Sequence, residues 1–269
     1  MDQYDLSTRA VAAPPFAAEL AFAHELADVA ATVSTGFVGD LDVRHKPDAT
    51  PVTQVDLAIE RALFDEVAMR YPDDAFLGEE SGQVGMGERT WVVDPIDGTK
   101  NLVDGIQLWA TMIALLVDGE PVLGVVDAPG LGERYDAVRG GGARLGGEPV
   151  HTSAIASLDE AFVLHSGMEE WARGPHWDGL VAVATTARRT RGLSDFWGHV
   201  LVARGAADAL LEHEPSGVWD WAALSVIVTE AGGRMSTLDG EPVRPGCTLL
   251  TTNGHLHDQV VRLLRDERG

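Results

Sequence analysis

The stretch Trp91-Val92-Val93-Asp94-Pro95-Ile96-Asp97-Gly98-Thr99-Lys100-Asn101-Leu102 constrains this chain more than any other. Its opening Trp-Val-Val run reads as a buried strand, because aromatic and β-branched residues fit a pleated sheet. Asp94 and Asp97 then flank a Pro-Ile pair, and the stretch closes on Gly-Thr-Lys-Asn, where main-chain N–H groups can converge. Hard carboxylate oxygens suit a divalent ion, and converging N–H groups suit a phosphate. Taken alone, the same residues also read as a plain turn, since Asp-Gly after an apolar run is a hairpin signal. Further acidic residues, Asp56, Glu79 and Asp220, sit in settings that fit the same site and shift that balance.

Strands and helices alternate around this stretch. Residues 14–35 read as an amphipathic helix, with Phe16, Leu20, Ala23, Leu26, Ala27 and Ala30 at helical spacings after Pro14-Pro15. Leu41 to His45 alternates like a short strand, and Lys46-Pro-Asp-Ala-Thr-Pro is turn-rich. Thr53 caps a second helix of about 18 residues, whose buried stripe includes Val55, Ile59, Leu63 and Val67. Asp56 falls in its first turn, where a carboxylate serves either the helix dipole or a partner group. Ala75 to Gly78 is a short buried strand that delivers Glu79-Glu80-Ser81 at its end. Trp109 to Val117 and Val122 to Val126 are strands joined by a tight turn. The glycine cluster at 140–147 lacks the strand-before, helix-after order of a dinucleotide loop and reads as hairpin turns.

A second lobe starts near Val150. Ala161 to His165 is a strand, 176–186 is helical, and Thr190-Arg191-Gly192 leads into a helix from Ser194 to Arg204. Ala207 to Glu212 is a strand, and a strongly apolar helix opens at Trp219-Asp220 and stops at Gly232-Gly233. Asp220 therefore lies in a first turn, where dipole stabilisation is its plain role. A strand from Thr248 to Thr252 and a terminal helix close the chain. This order implies a layered α/β architecture with mixed sheets.

Charge and composition narrow the function. Forty-two acidic against twenty basic residues give a net charge of −22, which repels nucleic acid and anionic membrane and serves solubility. A phosphate site on such a chain needs local cations, and bound metal ions are the simplest source. No apolar run reaches the roughly 20 residues that cross a bilayer. Met1-Asp-Gln-Tyr-Asp has no basic signal region, and the single Cys247 fits a reducing compartment. The expectation is a cytoplasmic protein without nucleic-acid or membrane partners. The nine histidines and one cysteine form no zinc-ligand spacing.

Four motifs occur in order: Val52-Thr-Gln-Val-Asp56, Gly78-Glu-Glu-Ser81, Trp91 through Thr99, and Trp219-Asp-Trp-Ala-Ala223 with Glu230-Ala-Gly-Gly233. In these the chain resembles the inositol monophosphatase family of magnesium-dependent phosphatases. The resemblance implies an αβαβα sandwich, a homodimer, and two or three Mg²⁺ ions per site. It places Glu79, Asp94 and the Ile96 carbonyl on a first metal, with Asp94 bridging to a second that Asp97 and Asp220 also hold. Asp56, Thr99 and Glu79 would then orient and activate the attacking water, and the N–H groups of Gly98 and Thr99 would hold phosphate oxygens. Residues 1–148 would form a lobe carrying most metal ligands, and 149–269 a lobe supplying Asp220 and substrate contacts.

The choice of ester turns on two departures from the inositol-type pattern. Lys100 stands where those members carry a second threonine, and Gly98-Thr-Lys-Asn101 resembles the actinobacterial histidinol-phosphatase branch. Lysine in this place also occurs in the adenosine bisphosphate phosphatase branch. Gly192-Leu-Ser-Asp195 puts an acid where inositol enzymes have small residues. Histidinol phosphate carries an ammonium and an imidazole, so its site calls for spare carboxylates. Asp195 and either Glu212 or Glu214 are the candidates, beside Asp97 and Asp220. Asp195 also fits an ordinary helix-start acid. The segment Glu212-His-Glu-Pro215 aligns with the family only through a gap, which leaves open the glutamate that matches. The expected activity is a histidinol-phosphate phosphatase of histidine biosynthesis, with inositol monophosphate and adenosine 3′,5′-bisphosphate as alternative substrates. A non-enzymatic role against transcription machinery is a further alternative, opposed by the complete ligand set and the acidic charge.

Overall fold

The computed structural model describes residues 15–37, 41–47, 50–172 and 174–265, with the side chains of 214–216 outside that set. The first half opens with helix α1 (Ala17–Gly36), the hairpin of β1 (Val43–His45) and β2 (Pro51–Thr53), and helix α2 (Gln54–Arg70). Thr53 starts α2 as expected: its hydroxyl accepts the Val55 N–H at 3.1 Å, and the Asp56 carboxylate accepts the Thr53 N–H at 3.0 Å. Donors that a helix start leaves orphaned are thereby satisfied. Strands β3 (Ala75–Gly78), β4 (Gly82–Val84) and β5 (Arg89–Asp97) come next, then the short helix α3 (Thr99–Val103). A meander follows: β6 (Ala110–Val117), β7 (Glu120–Ala128), β8 (Glu133–Val138), β9 (Ala143–Leu145) and β10 (Glu148–Val150). The eight-stranded sheet runs β10-β9-β8-β7-β6-β5-β3-β4, antiparallel except where β3 lies parallel to β5. Gly140, Gly142, Gly146 and Gly147 all have positive φ and turn the chain around β9, as hairpin turns require.

The second half contains β11 (Phe162–His165), α4 (Met168–Trp171), α5 (Trp177–Thr186), β12 (Arg189–Gly192) and α6 (Asp195–Ala203). It continues with β13 (Ala209–Ser216), α7 (Val218–Glu230), β14 (Arg234–Ser236), β15 (Cys247–Thr252) and α8 (His257–Leu264). Its five strands order as β12-β11-β13-β15-β14, with β11 parallel to both neighbours and β15 antiparallel to both of its own. The edge strands β12 and β14 show no apolar alternation in sequence, because an edge strand pairs on only one side.

Alternation along the strands sets the layers. On β5 and β6, Trp91, Val93, Ile113 and Leu115 face α1 and α2. Val92, Met112 and Ala114 face the opposite way, toward the apolar length of α7, in one core that also takes in Phe196 and Val200 of α6 and Leu249 of β15. Beyond the second sheet, α5 and α8 close its far side with Leu180, Val183, Val260 and Leu264. The result is α, β, α, β, α with mixed sheets, the architecture the resemblance implied.

One contact fixes the middle layer. A Cβ on Gly124 of β7 would lie 2.3 Å from the Ala223 carbonyl oxygen and 2.8 Å from the Ala223 Cα of α7. Strand and helix therefore meet backbone to backbone, and only glycine fits between them. Because α7 also carries Asp220, this approach sets where that carboxylate stands over the sheet. Gly124→Ala is expected to lower the unfolding free energy by about 2–3 kcal/mol through overpacking. Urea denaturation checks it, and an unchanged midpoint would contradict the contact.

Candidate active site

The site is built at the C-terminal end of β5. Asp94 pairs with Met112 and Asp97 with Ala110, so β5 carries an extra residue there and bulges. Pro95 has no N–H to leave unpaired inside the bulge, and its carbonyl accepts the Thr111 hydroxyl at 2.8 Å. Asp94 Oδ1 accepts the Ile96 N–H at 2.9 Å. Gly98 then takes φ 83°, and a Cβ there would meet the Leu108 carbonyl at 2.8 Å. Glycine is what lets the strand turn at once into α3.

Neighbouring elements bring more acids to this point. Glu79 follows β3, and its N–H donates to the Val93 carbonyl at 3.2 Å, which sets its carboxylate within hydrogen-bonding reach of Asp94. Asp220, in the first turn of α7, accepts the Gly217 N–H at 2.5 Å. Carboxylate oxygens of Asp94, Asp97 and Asp220 lie within 4.8 Å of one another. Burial pushes the Asp94 carboxyl well above the usual carboxylate range, and Glu79, Asp97 and Asp220 push the same way. Asp97 is also raised, by burial first and then by Asp195, while the Phe196 N–H at 2.6 Å opposes the shift. Like charges held this close favour a divalent cation, and an all-oxygen donor set suits Mg²⁺.

Asp56 and Thr99 meet beside the Ile96 carbonyl. Asp56 is fully buried, and its Oδ2 holds the Thr53 N–H at 3.0 Å and the Thr53 hydroxyl at 2.5 Å. Its Oδ1 faces the Thr99 hydroxyl at 3.2 Å, and that hydroxyl is also 2.8 Å from the Ile96 carbonyl. One hydroxyl proton serves one of these acceptors at a time, so Thr99 can switch between them. Burial raises the Asp56 pKa against the opposing bonds from Thr53.

Two supporting residues were not singled out from sequence. Lys46, in the turn between β1 and β2, places its ammonium 2.7 Å from both Glu79 and Glu80. Burial pulls its pKa down, but the bonds to the two glutamates outweigh that and raise it. Glu60 of α2 accepts the N–H groups of Glu80 and Ser81 at 2.8 and 2.7 Å, and a Cβ on Gly78 would strike its carboxyl. It braces the turn that carries Glu79.

A cavity of about 390 Å³ joins this acidic end to a second wall that includes Asp195, Glu212, His199 and Trp219. Asp195 opens α6 with φ 55°. Its N–H donates to Glu212 Oε1 at 2.8 Å, and its Oδ2 accepts from Asn101 at 3.2 Å. Glu212 lines the cavity, whereas the side chain of Glu214 lies outside the described residues. Between Glu212, paired with Leu249, and Ser216, paired with Cys247, β13 runs out of register with β15.

The sequence matches the Inositol monophosphatase family over residues 15–268. The chain belongs to the inositol monophosphatase family. A histidinol-phosphatase of Streptomyces coelicolor is 40% identical over 93% of this chain and 98% of its own length. One from Mycobacterium tuberculosis is 42% identical over 91% and 97%. The solved structure of an IMPase from Thermotoga maritima superimposes with a TM-score of 0.84 at 30% identity, covering 93% of this chain and 97% of that one. Enzymes of this family are metal-dependent, and relatives named as histidinol-phosphatases or inositol monophosphatases are phosphoric monoester hydrolases. Among the described residues, no helix is long and apolar enough to cross a membrane.

The raised carboxyls give a pH test with a definite sign. A carboxyl whose folded pKa is raised holds its proton better folded than unfolded. Its stabilisation is present at low pH and lost as pH climbs from the ordinary carboxylate range toward neutrality. A cation on the same oxygens favours the ionised form instead. The rise in Tm on adding Mg²⁺ is therefore expected to grow from about pH 5 to about pH 7.5. Asp94→Asn should raise the Tm of the metal-free protein and shrink the Mg²⁺-induced rise. Melting curves with and without Mg²⁺ measure both, and a pH-independent rise that survives the substitution contradicts a cation among these acids.

Proposed function

We propose that this chain is a Mg²⁺-dependent histidinol-phosphate phosphatase of histidine biosynthesis. The observation that carries the reading is one cavity lined both by the Asp94, Asp97 and Asp220 cluster and, beside Asp97, by the further carboxylates Asp195 and Glu212. The names of the Streptomyces and Mycobacterium relatives support the same ester. In this reading Glu79, Asp94, Asp97 and Asp220, with the Ile96 carbonyl, hold two or three Mg²⁺ ions. The enzyme works in the cytoplasm as a homodimer, with the first lobe ending near residue 148.

Bound magnesium would supply positive charge against the phosphate oxygens and acidify water. The chain's own groups do the rest. The N–H groups of Gly98 and Thr99, at the turn into α3, face the phosphate oxygens. Thr99 aligns the attacking water and passes a proton toward Asp56, whose other oxygen is anchored on Thr53. Lys46 adds a fixed cation beside Glu79. Asp195 and Glu212 accept charge-assisted hydrogen bonds from the ammonium and imidazole of the leaving alcohol.

Inositol monophosphate is the second reading, favoured by the close superposition on the Thermotoga IMPase. Comparing kcat/KM for histidinol phosphate, myo-inositol 1-phosphate and adenosine 3′,5′-bisphosphate decides between them. Histidinol phosphate is expected to lead by about tenfold or more. A preference for inositol phosphate overturns the first reading. Asp94→Asn should fold and fall to background turnover at saturating Mg²⁺, and near wild-type turnover would remove its metal role.

A further inference from the structure

We infer that His199 is a positioning residue that keeps Glu212 aimed into the cavity, and so sets the site's preference for esters of cationic alcohols. The inference rests on the reading of the site as a phosphatase for an ammonium-bearing ester and extends it to a residue that need not touch substrate.

His199 stands in the middle of α6, among Phe196, Val200, Leu201, Val202 and Ala203, all of them buried. It is 1% exposed, and an apolar side chain in that packing would need no partner. An imidazole there is costly unless both ring nitrogens are bonded. Both are: Nδ1 lies 2.8 Å from the hydroxyl of fully buried Thr251 on β15, and Nε2 lies 2.9 Å from Glu212 Oε2. A carboxylate accepts, so a hydrogen is assigned to Nε2, while Nδ1 shares a hydrogen bond with the Thr251 hydroxyl. The imidazole thereby holds one oxygen of Glu212 in place.

Glu212 is also held from its other side. Its Oε1 takes the Asp195 N–H at 2.8 Å, so each oxygen is anchored by a different element. Carboxylate rotation is thereby stopped while the group still lines the cavity. The neighbouring N–H, that of Phe196, binds Asp97 at 2.6 Å, so the start of α6 ties this wall to the metal end. A fixed anion in a partly desolvated pocket rewards an ammonium far more than a neutral hydroxyl. Without His199, Glu212 can swing away, and a cationic leaving group loses more than a polyol does.

The test is the ratio of kcat/KM for histidinol phosphate to that for myo-inositol 1-phosphate, at saturating Mg²⁺. His199→Phe should lower the ratio about tenfold, mainly through KM for histidinol phosphate. His199→Gln, whose amide N–H can still donate to Glu212, should recover most of it. Thr251→Val, which frees the other side of the ring, should lower the ratio by about threefold. If His199→Phe fails to fold, the glutamine and valine variants decide. Parallel losses on both esters, with the ratio unchanged, reduce His199 to a packing residue and overturn the inference. A wild-type ratio below one removes the parent reading and this inference with it. A wild-type ratio above one that every variant keeps removes only the role of His199.

Discussion

Repulsion among carboxylates gathered at the end of β5 is the constraint around which the rest of the molecule is arranged. Asp94, Asp97 and Asp220 come from a bulged strand and a helix start far apart in sequence, and burial makes their mutual charge costly. The fold meets part of this cost with main-chain donors. Ile96 N–H serves Asp94, Phe196 N–H serves Asp97, Gly217 N–H serves Asp220, and Thr53 N–H serves Asp56. Three of those donors sit at helix starts, where the macrodipole adds partial positive charge. What remains is a deficit of positive charge, which is what a site for divalent ions and phosphate requires.

Backbone details hold these acids in place. The Pro95 bulge turns Asp94 and Asp97 to the same cavity, and the positive φ of Gly98 ends the strand where a phosphate can approach main-chain N–H groups. Gly124 lets α7 settle on β7, and Glu60 braces the turn bearing Glu79. Each feature is local, yet each positions an acid supplied by a different element. The cavity's other end follows the same logic, with Asp195 N–H and His199 fixing Glu212.

Much of this was legible in the sequence because it is written in short-range chemistry. The Thr53 cap, the strand ending at Gly78 and the strand-to-turn change at Asp97-Gly98 depend on adjacent residues. The layer order and the joining of Asp220 to the β5 acids came from the family resemblance, since spacing alone does not bring residues so far apart together. Lys46 was seen only as part of a turn, because its partner Glu79 is 33 positions away. His199 has no partner near it in sequence, because Thr251 and Glu212 reach it from two different strands. The strands β12 and β14 escaped notice for a different reason: an edge strand needs no apolar alternation. The choice between Glu212 and Glu214 was not legible in the sequence, and only Glu212 of the two is placed along the cavity among the described side chains.

Asp94, Asp97 and Asp220 form the group of carboxylates that could hold a divalent cation. The most direct measurement is anomalous diffraction from crystals grown with Mn²⁺ and inorganic phosphate, because manganese takes the same oxygen ligands and scatters anomalously. The account predicts anomalous peaks in contact with all three carboxylates and phosphate density beside Gly98 and Thr99. Peaks confined to other surfaces, with these carboxylates untouched at saturating Mn²⁺, would contradict it.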